Sequence, residues 1–137
     1  MCIGTGLPKV LATISSNMDT ILSSLRATGF HGVLMVVNYY SLDYTDPGGT
    51  AITVLLNQAD HGSRGGPRRG GRRRVHGFQA AASTSFAGGK PCRAGLLNAS
   101  PQNQFTCDVH PSQSGQQLLA ATVEGAYRAA LAGPGDD

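Results

Sequence analysis

The sequence predicts an α/β fold, part of a three-layer α/β/α sandwich built on a short parallel sheet. Three observations carry that expectation. An apolar stripe at helical spacing runs from Leu7 to Leu25, and a continuous apolar run, Val33-Leu34-Met35-Val36-Val37, follows it. A second, shorter stripe then passes through Ile52, Leu55, Leu56 and Ala59. Helix, strand and helix in that order form the repeating unit of doubly wound layer structures. At 137 residues and 40% apolar content, the chain is long enough for one domain with its own core.

In the first helix, Leu7, Val10, Leu11, Ile14, Met18, Ile21, Leu22 and Leu25 share one face. Pro8 is expected in its first turn, where a missing N–H costs nothing, and Gly29 after Thr28 supplies the stop. The helix is expected to pack on a sheet. Its polar face is Ser, Thr and Asn with little positive charge, which argues against a membrane-surface role. Residues 33–37 lack polar alternation, so they read as a strand buried on both faces, the usual state in a parallel sheet. Ligand sites of open α/β sheets lie outside the carboxyl ends of strands, so Tyr39 and Tyr40 become candidate pocket residues. Asp46-Pro47 has the form of a cap and first turn for the second helix.

From Asp60 to His76 the pattern breaks. Six of the eleven basic residues fall between Arg64 and Arg74, in a tract of Gly, Arg and Pro that can bury nothing and reads as an Arg/Gly-rich loop. The net charge of +3 therefore belongs to this tract, and the rest of the chain is slightly acidic. Arg/Gly tracts can bind nucleic acid through phosphates, but no Phe or Tyr is interleaved here to stack on bases, which argues against it. The preferred explanation of the tract is a local frame-shifted or poorly selected translation of GC-rich coding sequence, which tends to yield Gly, Arg and Pro. No apolar run approaches the roughly 20 residues of a membrane span, and the start of the chain lacks the pattern of a secretory signal.

Phe78-Gln79-Ala80-Ala81-Ala82 restarts helix-forming sequence, and Gly88-Gly89-Lys90-Pro91 interrupts it. Near the C-terminus, Cys107-Asp108-Val109-His110-Pro111-Ser112-Gln113-Ser114-Gly115 sets an acid, an imidazole and a helix start within a few residues. Pro111 suits a first helical turn and Ser112 can cap its orphan donors. Leu118, Leu119, Val123, Ala126, Tyr127 and Ala130 continue the helix. His110 is thus expected at the mouth of a helix, where Asp108 can orient it as the third member of a hydrolase triad orients its base.

Asp-x-His-Pro-Ser-x-x-Gly followed by an apolar helix resembles the last block of the SGNH (GDSL-type) esterases and lipases. The resemblance continues from Gly6-Leu7-Pro8 to Tyr39-Tyr40 and from Phe78 to Leu97, and so covers most of the chain outside residues 60–76. It is closest to secreted members. It implies the α/β/α architecture, a carboxylic ester or lipid substrate, no cofactor, a secreted protein, and His110 as catalytic base with Asp108 as its partner. Many members separate acid and histidine by two residues. Here one residue intervenes, and the position matching the wider spacing is Cys107. The secreted setting would let Cys92 and Cys107 form a disulfide closing a loop of about 15 residues, contributing roughly 3 kcal/mol in the chain-entropy view; otherwise they are two reduced thiols. Cys2 is then left over. Three cysteines and four histidines show no paired metal-ligand spacing.

The family's Gly-Asp-Ser nucleophile block and the Gly and Asn of its oxyanion hole have no counterpart here, nor is there a Gly-x-Ser-x-Gly elbow. Residues 1–137 accordingly resemble a single partial domain, the C-terminal portion of such an enzyme, expected to be inactive alone. The runner-up readings are an Arg/Gly-tract nucleic-acid-binding protein and a non-catalytic interaction protein presenting exposed apolar surface. Nothing in the sequence sets an oligomeric state.

Overall fold

A computed structural model describes residues 3–59, 77–84 and 86–132, so the Arg/Gly-rich stretch 60–76 lies outside the described residues. Helix α1 spans Ile3–Ala27, α2 Pro47–Ala59 and α3 Gly77–Ala82. Strands β1 (Leu97–Ser100) and β2 (Asn103–Pro111) follow, and α4 (Gln113–Leu131) closes the order. The protein is mixed helix and strand. Among the described residues its sheet has two strands, and they are antiparallel. The expected parallel sheet and three-layer sandwich are therefore not what these residues form.

Residues 33–37 show why. They run without regular secondary structure and half-buried to exposed, with Val37 at 47%. Among the described residues no strand lies beside them to complete a ladder, and an apolar run alone cannot make a strand without a hydrogen-bonding neighbour. β1 and the first part of β2 form instead in the loop expected between Cys92 and Cys107, and β2 continues to Pro111, through the segment expected as a loop leading into the last helix. Ser100 and Asn103 pair across a tight turn containing Pro101. There Ser100 Oγ donates to Gln102 Oε1 at 2.8 Å and accepts from the Gln102 amide at 3.3 Å.

Helix α1 starts earlier than its stripe implied, which leaves Pro8 inside the helix rather than in its first turn. It ends as expected, with Gly29 at φ +83° and its N–H on the Arg26 carbonyl at 3.0 Å. Among the described elements it meets α2 and no strand, and Val10, Ile21 and Leu25 stay 42–53% exposed. Helix α2 begins as its sequence predicts: Asp46 Oδ1 accepts from the Gly48 amide at 3.0 Å, with Pro47 at the first helical position.

The core sits elsewhere, where α3 and α4 close over the hairpin. Phe78, Leu96 and Leu97 are 2–6% exposed and pack with Tyr40, Tyr44, Leu118 and Leu119. Ala82, Ala87 and Pro91 are also buried. Gly115 is the contact that sets the depth of α4. A β-carbon there would strike the Leu96 carbonyl and the Phe78 ring, so only glycine lets the helix lie this close.

Candidate active site

His110 is the penultimate residue of β2 and lies three residues before the start of α4 at Gln113, so the start of that helix fixes its position. Ser112 is the N-cap; its Oγ accepts from the Gly115 amide at 3.1 Å and donates to the Gly95 carbonyl at 2.6 Å. The Ser112 amide also donates to the Leu96 carbonyl at 2.9 Å. The helix mouth is thereby tied to the buried segment before β1. Pro111 ends the strand instead of standing in the first helical turn, and the helix opens after the Ser112 cap, at Gln113.

The strand pairing is irregular where the acid and the imidazole stand. Leu97 pairs with Pro111 and Ala99 with Cys107, so a two-residue step on β1 faces a four-residue step on β2. Asp108, Val109 and His110 occupy that bulge. Bulges re-aim side chains, and here the polar backbone groups in the bulge find partners outside the regular ladder. The Val109 carbonyl accepts from Tyr40 Oη at 2.6 Å, and the His110 amide donates to Asp108 Oδ1 at 2.7 Å.

The same Asp108 oxygen lies 3.5 Å from His110 Nδ1. That is an ion-pair distance and longer than an N–H···O bond, so the carboxylate is committed first to the backbone and second to the ring. The imidazole side chain is 74% exposed and Asp108 half-buried. Among the described residues no hydroxyl or thiol is hydrogen-bonded to the His110 ring. Cys107, the position matching the wider acid–histidine spacing, is bonded to Cys92 with the Cα atoms 5.7 Å apart. The bridge thus anchors β2 one residue before Asp108.

Tyr40 joins this segment to a cavity. Its ring stacks on Phe78 with centroids 4.1 Å apart, while its hydroxyl holds Val109. Burial first, then the Asp108 carboxylate and Tyr44, raise the Tyr40 phenol above its ordinary value, so it remains a neutral donor at physiological pH. The cavity is about 110 Å³, and both Tyr39 and Tyr40 line it. Tyr39 is 69% exposed. Its backbone is held by Asn57, whose Oδ1 accepts from the Tyr39 amide at 2.8 Å and whose Nδ2 donates to the Tyr39 carbonyl at 2.9 Å. The Asn57 carboxamide here substitutes for a neighbouring peptide.

Sequence reasoning missed Asn38, which also lines the cavity. It is 6% exposed, and neither its carboxamide oxygen nor its nitrogen has a hydrogen-bond partner. The only signal was its place directly before the tyrosine pair, which says nothing of burial. Among the described residues no group of three or more His, Cys, Asp or Glu is placed to hold a metal, and no helix is long and apolar enough to cross a membrane. Compared with protein-family models, curated proteins and solved structures, the chain matches none.

Proposed function

We propose that the chain is the C-terminal portion of an SGNH-type carboxylic ester hydrolase, an esterase or lipase. It supplies the catalytic base and lacks the nucleophile and oxyanion hole. The observation that carries this reading is the Asp108–His110 pair, 3.5 Å apart, held in a strand bulge beside a capped helix start with the imidazole open to solvent. In the complete enzyme His110 takes the proton from a serine hydroxyl as that oxygen attacks the ester carbonyl. It then returns the proton to the leaving alkoxide, while Asp108 balances the imidazolium charge between the two steps. Tyr39 and Tyr40 line the substrate pocket, and no cofactor takes part. The Cys92–Cys107 bond supports maturation in an oxidising compartment, in keeping with a secreted enzyme.

Triad members act as a unit, and loss of the nucleophile alone costs roughly 10⁶-fold in kcat. The isolated chain should therefore turn over p-nitrophenyl butyrate no faster than buffer. Joined to an N-terminal half carrying a Gly-Asp-Ser block, it should gain turnover that His110→Ala abolishes. Turnover by the isolated chain, or turnover of the joined protein that ignores His110→Ala, would refute the assignment.

A further inference from the structure

The peptide that joins Val109 to His110 is gripped at both ends. Its carbonyl accepts from Tyr40 Oη at 2.6 Å, and its N–H donates to Asp108 Oδ1 at 2.7 Å. In a trans peptide these two groups point to opposite sides of one rigid plane, so each bond limits the rotation that would break the other. The Asp108 bond is an Asx turn, a local closure that an aspartate makes alone and can as readily release. The Tyr40 bond is of another kind. It reaches across 69 residues, and its donor is fixed from behind by a ring stacked on Phe78, itself 2% exposed. The bulge is thereby tied to the core at its middle, between the Cys92–Cys107 bond before it and the Ser112 cap after it.

We propose that Tyr40 is a positioning residue for the Asp108–His110 pair, acting through the peptide between residues 109 and 110. Turning that peptide over would carry the Val109 carbonyl to where the His110 N–H now points. Oxygen would then face oxygen, and the Asp108 carboxylate would have to leave. With the peptide held by Tyr40, Asp108 Oδ1 stays on the amide and 3.5 Å from His110 Nδ1. The hydroxyl thus sets where the acid stands relative to the imidazole, although its own bond is to the backbone. Lining the cavity needs only the Tyr40 ring. Its O–H is spent on Val109, so the cavity receives the ring and the bulge receives the proton. The coupling runs both ways, because the Asp108 charge, after burial, helps to keep that proton on the phenol. That the pair works on an ester rests on the hydrolase reading; the clamp itself does not.

The test is ¹H–¹⁵N and carbonyl ¹³C NMR of the full chain. Asp108→Asn weakens the bond on the amide and should move the His110 amide proton upfield, which ties that signal to the carboxylate. Tyr40→Phe keeps the ring and its stack. It should move the same signal in the same direction, and the Val109 carbonyl carbon with it. Exchange of the His110 amide should rise at least about tenfold more than that of Ser112, whose bond to Leu96 lies beyond the clamp. Tyr44→Phe is the control. It takes a hydroxyl from the same core, one bonded to the Ser41 amide, and should leave the His110 signal in place even as Tm falls. A His110 signal that Tyr40→Phe leaves unmoved, or that Tyr44→Phe moves equally, overturns the proposal. On the wild-type chain the Tyr40 hydroxyl proton should itself be visible, slowed in exchange by its bond to Val109. A proton lost to fast exchange overturns the clamp without any variant. In the protein joined to an N-terminal half, Tyr40→Phe should lower kcat at least about tenfold and leave KM unchanged. The NMR response without any His110-dependent turnover removes the hydrolase assignment and leaves the clamp standing. His110-dependent turnover that ignores Tyr40→Phe does the reverse.

Discussion

Tyr40 connects the two halves of the site through a single hydroxyl. Its ring lies on Phe78 and its Oη donates to the Val109 carbonyl, 69 residues away in sequence. Tyr40→Phe keeps the stack and removes the bond, which should cost about 1 kcal/mol, the net worth of a typical intramolecular hydrogen bond. The pH dependence follows from the phenol. Burial, then Asp108, then Tyr44, raise it above 10.0, so the folded protein holds this proton more tightly than the unfolded chain does. Its contribution is whole below pH 10 and disappears as pH rises through the folded value. Tyr44 behaves alike, since burial raises it more than the Ser41 amide lowers it. Thermal melts from pH 8 to 11.5 should thus show a Tm that falls above about pH 10, and the fall should be shallower in Tyr40→Phe. Equal alkaline slopes for the two proteins would show that Tyr40 is not buried against Asp108. The nearness of Asp108 to His110 was legible from their spacing alone. The partnership of Tyr40 with Val109 was not, because nothing local marks a contact across so many residues.

At the level of elements, what local chemistry determines was legible, and what a partner determines was not. Asp46-Pro47 announced α2, Gly29 announced the end of α1, and Ser112 announced α4, each through a backbone group that the residue itself satisfies or releases. Val33–Val37 looked like a strand, yet a strand exists only where another chain segment meets its N–H and C=O groups. The β1–β2 hairpin went unseen for the opposite reason. Its bulge at residues 108–110 breaks the alternation by which strands are recognised, and its polar composition resembles a loop. The Cys92–Cys107 bond now gains a defined mechanical role. It ties β2 to the segment before β1 and closes 15 residues of chain. In the loop-entropy view a link of that length contributes about 3 kcal/mol. Reduction with dithiothreitol, or Cys92→Ser with Cys107→Ser, should therefore lower Tm clearly and broaden the amide signals of 103–111. An unchanged Tm on full reduction would mean that the hairpin and α4 hold one another without the bridge.

For the molecule as a whole, the uneven placement of apolar surface decides how it opens. The buried cluster of Phe78, Leu96 and Leu97 packs with Leu118 and Leu119 of α4, and Ala82, Ala87 and Pro91 are buried in and after α3. Helix α1 is 25 residues long but touches only α2 among the described elements, and α2 has no fully buried residue. Its length makes many backbone bonds, yet tertiary burial rather than propensity supplies most helix stability in proteins. Pro8 inside α1 also removes one donor from the helix and disfavours the turn before it. Opening of α1 exposes little surface that is not already wet, whereas opening of β2 or the first turns of α4 uncovers the Phe78 and Leu96 contacts and the disulfide-bonded hairpin. Local unfolding free energy should follow that difference. Native-state hydrogen exchange should find the amides of β2 and of residues 115–122 at least tenfold more protected than those of residues 10–25, a gap of about 1.4 kcal/mol. Urea added below the global transition should exchange the α1 and α2 amides first, with a small slope that reflects how little area they expose. Equal protection across all the helices would instead make α1 part of one cooperative unit, and would require apolar contacts on its Val10, Ile21 and Leu25 face that the described residues do not supply.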